Sequence, residues 1–352
     1  MRFLLYICPM KIILKSSLLL ALALLTHSAF AGGPKKAIFA FYNVENLFDT
    51  IDDPKVDDKE FLPTAEKKWN TQKYQIKLKN ISKVISSLNE KNLPVVIGFC
   101  EVENKDVLTD LSQTELLKSG KYEVVHRNSP DARGIDVAAM YQKDKFKLIE
   151  YHYYPISYEE DGKISKTREI LHIKGIVFGK DTVHLFYNHW PSRVGGEEES
   201  KHKRKKAAEK VKEKTDSLYS LNKNSKIIIM GDLNDHPTDE NVNTVLGAKK
   251  QEIGSSATLF NLLYEEHEEK KGTHSYKNEW GVLDNIIVST GLLNAKKGAR
   301  TKNENACIFK QDWMIYTNKN GDKSPARSFS GAKFHEDGYS DHLPIYLVVT
   351  SK

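Results

Sequence analysis

Blocks of apolar residues along this chain end, one after another, in a small group of polar side chains. In residues 227–230, Ile227, Ile228, Ile229 and Met230 follow one another and predict a buried strand. Gly231 then lets the backbone turn without a Cβ clash, and Asp232, Asn234, Asp235 and His236 emerge together before Pro237. A rigid strand ending in a polar cluster is suited to chemistry. Asp, Asn and Pro are also ordinary turn formers, so this stretch alone leaves both readings open.

The same punctuation recurs. Residues 36–42 are a β-prone run ending at Asn43, and residues 94–100 form a nearly continuous apolar strand stopped by Glu101. A strand covered on both faces has room for a glutamate only at its exposed end. Residues 182–187 lead into Asn188, His189, Trp190, Pro191, Ser192 and Arg193, Asp284 interrupts the apolar run at 281–289, and Ser340, Asp341 and His342 precede a last strand at 343–349. Between these strands, Tyr74, Leu78, Ile81, Ile85 and Leu88 recur at helical spacing, which predicts an amphipathic helix from Thr71. Further helices are predicted over 107–117 and 197–221, and further strands over 122–126, 135–141, 147–156, 169–178 and 273–276. The turn signals Asp161-Gly162 and Gly179-Lys180 predict an antiparallel meander, and the Gly-, Lys-, Ser- and Asn-rich residues 317–338 a long mobile loop.

Composition narrows the class. With 352 residues, 39% hydrophobic and 28% charged, the chain reads as soluble and globular with a large core, not disordered or collagen-like. Lys11 and Lys15, the apolar run 18–25 and Ala29-Phe30-Ala31 predict a secretory signal cleaved after Ala31. That apolar run is shorter than the ~20 residues a membrane span needs, so no stable membrane anchor is expected. Residues 32–352 then form one domain. Loss of Arg2, Lys11 and Lys15 lowers the net charge from +6 to +3, too little to argue for nucleic acid by bulk charge. Cys8 leaves with the signal, and Cys100 and Cys307 make no disulfide framework; Cys100, inside an apolar strand, is expected as a buried thiol. The basic run at 201–206 opens a helix and serves either as a solvated face or as a track for a polyanion.

In order and local sequence, Asn43, Glu101, Asn188-His189, Gly231-Asp232-Leu233-Asn234, Leu283-Asp284 and Ser340-Asp341-His342 resemble the endonuclease/exonuclease/phosphatase superfamily, the deoxyribonuclease I-like phosphohydrolases. The resemblance covers residues 37–349. It implies an α/β fold, a four-layer α/β/β/α sandwich of two mostly antiparallel sheets flanked by helices, and a secreted, divalent-metal-dependent phosphoesterase. Cleaving a phosphate ester by water requires neutralised phosphoryl charge, an activated water and a protonated leaving oxygen. The resemblance assigns Mg²⁺ or Mn²⁺ to Glu101, with Asn43 beside it and Asp341 nearby. It makes His342 a general base or phosphate-facing imidazole oriented by Asp284, and His189, with Asn188 alongside, a donor from the opposite side. Asp232 and Asn234 would orient water and bind phosphoryl oxygens; which of Asp232 and His342 takes the proton stays open. Arg133 and Asp136 match a position where a basic residue reaches the phosphate, and Arg193 either clamps an anionic substrate or forms surface ion pairs. Nucleic acid is the first substrate implied, a phospholipid or inositol phosphate head group the second, and a non-catalytic ligand-binding module is the third reading. Oligomeric state is left open.

Overall fold

A computed structural model describes residues 35–351 apart from 161, 253 and 254; the expected signal peptide, its cleavage site and Cys8 lie outside the described residues. In chain order the main strands are β1 (Lys35–Leu47), β2 (Val96–Val102), β3 (Tyr122–Val125), β4 (Asp136–Gln142), β5 (Phe146–Tyr154), β6 (Ile170–Val177), β7 (Asp181–His189), β8 (Ile227–Asp232), β9 (Ala248–Lys249), β10 (Leu259–Asn261), β11 (Asp284–Ser289), β12 (Ala306–Ile308) and β13 (Ile345–Ser351). The long helices are α1 (Thr71–Ser87), α2 (Lys105–Gln113) and α3 (Glu197–Leu221). Asn70 and Asn104 open α1 and α2 by accepting backbone N–H bonds at their side-chain oxygens, which satisfies donors that a helix start leaves free.

Two sheets result, a six-stranded one in the order β12-β13-β1-β2-β4-β3 and a seven-stranded one in the order β9-β10-β11-β8-β7-β6-β5. Pairing is mostly antiparallel, with parallel contacts between β1 and β2 and between β7 and β8 in the sheet centres. Side-chain alternation sets the layers. Phe39 and Phe41 of β1 share a core with Ile228 and Met230 of β8, so the sheets face one another. Ala40 and Tyr42 point the other way, under Leu78 and Ile85 of α1 and Leu108 and Leu111 of α2. Ile227 and Ile229 pack under Ala207, Ala208 and Val211 of α3. The architecture is the expected four-layer sandwich, and the unbroken apolar runs of β1 and β8 reflect burial on both faces.

The sheets approach closely at Gly98, where a Cβ would fall 2.1 Å from the Tyr187 ring. The meander holds as predicted, with an added hairpin between β5 and β6. Residues 317–338 depart from expectation. They are tied down by two small hairpins (Ile315–Thr317 with Lys323–Pro325, Phe329–Ser330 with Lys333–Phe334), and the backbone N–H groups of Ser328 and Phe329 donate to the buried Glu45 carboxylate. A polar composition hid this anchor because its acceptor lies far away in sequence. At the end of α3, Leu221 is exposed and Tyr219 is buried.

Candidate active site

Register alone assembles half of the site. In the seven-stranded sheet Asp232 lies opposite His189 on one side and opposite Asp284 on the other, so three ends of sequence share one row. Gly231 is required in the preceding row, because a Cβ there would meet the Asn188 carbonyl oxygen at 2.3 Å. It continues the strand between Asn188 and Asn285, and the turn comes after it, at Asn234, whose φ is +49°.

The facing sheet supplies Asn43 and Glu101 through irregularities. Strict alternation would send Glu101 away from the inter-sheet core that holds Cys100. A register shift between Cys100 and Val102, with Glu101 at φ +60°, re-aims it, and a matching shift in β1 places Glu45 and Asn46 at φ +51° and +58°. The Asn46 N–H donates to Glu101 Oε2 at 3.1 Å, and Asn43 Nδ2 reaches Asp232 Oδ2 at 3.1 Å and Glu101 Oε1 at 3.4 Å. Asn43 therefore bridges the two acids as a donor, while its oxygen accepts from the Glu45 N–H.

His342 closes the site from the loop before β13. Ser340 Oγ donates to the Asn43 carbonyl and accepts from the His342 N–H, which fixes that loop on β1. His342 Nδ1 sits 2.7 Å from Asp284 Oδ2, and its Nε2 lies 3.7 Å from Asp232 Oδ2. His189 Nε2 approaches the same Asp232 oxygen at 3.7 Å and Glu101 Oε1 at 3.9 Å. One carboxylate oxygen is thus flanked by two imidazoles.

The surroundings set different charge states. Burial lowers the His189 pKa well below the ordinary imidazole value, reinforced by Arg168, Arg133 and His342, so His189 is neutral. Burial also opposes charge on His342, but Asp284 and Asp232 outweigh it and hold the ring protonated. Desolvation raises Asp232 to about 6, against the pull of His342. Glu101 is raised by burial and by Asp341, and lowered by His342 and Arg133.

The chain matches the Endonuclease/Exonuclease/phosphatase family over residues 38–351. It belongs to that family. As a member it is a metal-dependent hydrolase of phosphate esters, which removes the non-catalytic reading. No curated protein matches it. Among solved structures, a humanised Danio rerio TDP2 is 14% identical, with a TM-score of 0.54 over 89% of this chain and 98% of that one. A family protein from Bacteroides thetaiotaomicron is 18% identical (TM-score 0.54, covering 91% and 99%), and a mannosyl-6-phosphatase from the same organism is 18% identical (TM-score 0.52, covering 89% and 99%). At these identities the likeness is one of fold.

The donor set of this family member suits a hard divalent cation. Glu101 and Asp341 offer carboxylate oxygens; Asp341 adds to the upward shift of Glu101, and Arg327 Nη2 stands 3.7 Å from Asp341 Oδ2. For Asn43 to present oxygen to a cation, its amide has to turn over from the orientation found.

Other residues expected at the site are placed differently. Asn188 is fully buried, with Nδ2 donating to the Phe186 and Met230 carbonyls and Oδ1 accepting from Trp190 Nε1; it braces the sheet and does not reach substrate. Arg193 forms no clamp: Asn234 O, Glu197 and Asp239 take its guanidinium. Asp136 is consumed by His126 and the Ser129 N–H. Asn234 gives its amide to the Trp190 carbonyl, so its contact with the site runs through its backbone N–H to Asp232. Arg133, its side chain 55% exposed, has its Nε 3.5 Å from Asp131 Oδ1. The basic run is ion-paired: Lys201 with Glu240, Lys203 with Glu160, Lys206 with Glu209, and Arg204, wholly buried, with Asp235 at 2.5 Å.

Three neighbours of the catalytic cluster escaped sequence reading. Buried Arg168 bonds Asp131 and the Trp190 carbonyl, leaves its Nε without a partner, and raises the positive potential at His189. His274 stacks on His342 with ring centroids 4.9 Å apart. Cys100 lies beside His189 and Asp232. The only signal of the first two was a charged or imidazole residue at the edge of a β-run, which is too common to single out.

Proposed function

We propose that the chain is an exported phosphodiesterase that cleaves nucleic acid strands by metal-assisted water attack, with Mg²⁺ or Mn²⁺. The observation that carries the reading is the single Asp232 oxygen held 3.7 Å from both His189 Nε2 and His342 Nε2, which gathers a carboxylate and two imidazoles at one point. Glu101 and Asp341 would hold a divalent cation, which would supply charge neutralisation and Lewis acidity. Asp232, ionised at neutral pH, takes the proton of the attacking water, oriented by the Asn43 amide and the Asn234 N–H. His342, protonated and braced by Asp284, donates to a phosphoryl oxygen, and neutral His189 donates from the other side. Arg133 receives the remaining anionic charge.

The rim supports a strand-like substrate. The hairpin His274–Tyr276 with Glu279–Gly281 pairs through His274 with His342, and Ser275 Oγ ties it to the carbonyl of Lys323 on the neighbouring hairpin. Tyr276 and Tyr316 project from these hairpins, 67% and 57% exposed, with Lys277 over the Tyr276 ring. Aromatic faces interleaved with lysines suit stacking on bases of a single strand. One of the similar structures, at 13% identity, is a D. rerio TDP2 complexed with single-strand DNA product, which is in keeping with this reading. A phosphorylated lipid or inositol head group is the second reading, favoured by the ion-paired α3, which offers no further track for a polyanion.

The test is kcat/KM on single-stranded DNA, duplex DNA, RNA, phospholipid, inositol phosphate and a small aryl phosphodiester. Tyr276→Ala with Tyr316→Ala should raise KM on single strands about ten-fold or more while sparing the small diester. Turnover of head groups alone transfers the proposal to the second reading. Activity that persists in EDTA rejects the mechanism.

A further inference from the structure

Cys100 has no place in phosphoester hydrolysis, yet its thiol, fully buried in the inter-sheet core, stands beside His189 and Asp232. The ligand atoms of Cys100, His189 and Asp232 all lie within 4.8 Å of one another, and all three residues are buried. His189 is 4% exposed, and its Nδ1 has no hydrogen-bond partner, an orphaned nitrogen in a closed setting. Sulfur, imidazole nitrogen and carboxylate oxygen form a mixed donor set, of the kind that Zn²⁺ takes at about 2.0–2.3 Å per bond. A hard cation such as Mg²⁺ avoids thiolate and keeps to oxygen, so the two ions sort between neighbouring donor sets.

We propose that Cys100, His189 and Asp232 form an inhibitory site for a thiophilic divalent ion such as Zn²⁺, distinct from the oxygen-lined seat of the hydrolytic cation. Binding expels the thiol proton to solvent and places Cys100 sulfur on the ion, so affinity rises with pH. Occupancy takes His189 and Asp232 out of catalysis. The inhibition rests on the proposed roles of those two residues; the binding itself does not, and a binding readout separates the two.

The experiment titrates Co²⁺, as a spectroscopic stand-in for Zn²⁺, into the protein and into Cys100→Ala and Cys307→Ser variants. A thiolate-to-cobalt charge-transfer band should appear in wild type and Cys307→Ser, should be displaced by Zn²⁺, and should be missing from Cys100→Ala. With Mg²⁺ present, Cys100→Ala should keep its turnover within about two-fold and need at least ten-fold more Zn²⁺ for half inhibition, roughly the loss expected when one ligand goes. A variant-free arm follows alkylation of Cys100 by mass spectrometry: Zn²⁺ should slow it, and this arm decides the matter should Cys100→Ala fail to fold. No band in wild type, a band carried by Cys307, or alkylation unaffected by Zn²⁺ overturns the site. A Cys100-dependent band without loss of turnover keeps the site and overturns its inhibitory role, together with the assignment of His189 and Asp232 to the reaction.

Discussion

At the scale of single residues, the pair Asp284 and His342 behaves as one unit: the 2.7 Å bond is buried, and the second Asp284 oxygen has no partner of its own. Asp284→Asn and His342→Ala should each lower kcat/KM by about 10²–10⁴, and the double variant should lose little beyond the worse single, which a double-mutant cycle measures. As the proposed base, Asp232 should set the acid side of the pH profile. Its carboxyl titrates at about 6, so kcat/KM should fall with unit slope below that pH as the base is protonated. The sign for stability is opposite. A carboxyl whose folded pKa is above its unfolded value favours folding at low pH, and that contribution is lost as pH rises through about 6. The Tm difference between Asp232→Asn and wild type should therefore change in favour of the variant between pH 4 and 7 and stay level below pH 4. The site is best charged for catalysis where that charge costs stability.

At the scale of elements, the bulges in β1 and β2 convert strand alternation into convergence, and α3 is an ion-paired scaffold. Its Arg204 is fully buried against Asp235, with Ser200 Oγ and the Glu197 carbonyl taking the other nitrogens. Arg204→Ala leaves Asp235 without its cation and should destabilise the protein by about 3–5 kcal/mol, read as a lower urea midpoint at unchanged m-value. Reversal of Lys201 and Lys206 to Glu should leave the salt dependence of nucleic acid binding unchanged, because these side chains pair with Glu240 and with Glu209 on the helix. A flattened salt slope would return the helix to the substrate track.

At the scale of the whole molecule, two sheets packed face to face bring β-strand ends from opposite parts of the sequence to one edge, and the catalytic groups ride on those ends. No helix among the described residues is long and apolar enough to cross a membrane. The n-region, apolar run and Ala29-Phe30-Ala31 remain the ground for proposing export. Protein recovered from outside the cytoplasm should have an intact mass beginning at about Gly32; a full-length product retained in the membrane would reject export.

What the sequence determined by itself was the list of actors and most of the elements. Strand runs buried on both faces, the 3.6-residue stripe of α1 and the polar groups at strand ends are local signals, set by side-chain periodicity, and they placed Glu101, His189, Asp232 and Asp284 at or next to strand ends, while β1 runs on past Asn43 to Leu47 and His342 lies in the loop before β13. Tertiary structure decided which way each side chain points and what it meets. Asn188 and His189 are adjacent in sequence, yet strand alternation buries one in the sheet and gives the other to the cleft. The sequence leaves Arg193 open between an anion clamp and surface ion pairs, and the fold decides for Asp239 and Glu197. The anchoring of residues 317–338 by Glu45 and the contact of Cys100 with His189 and Asp232 cross between segments remote in sequence. Such contacts depend on sheet register and on two bulges, and one residue of slip would exchange the faces, so no local pattern encodes them.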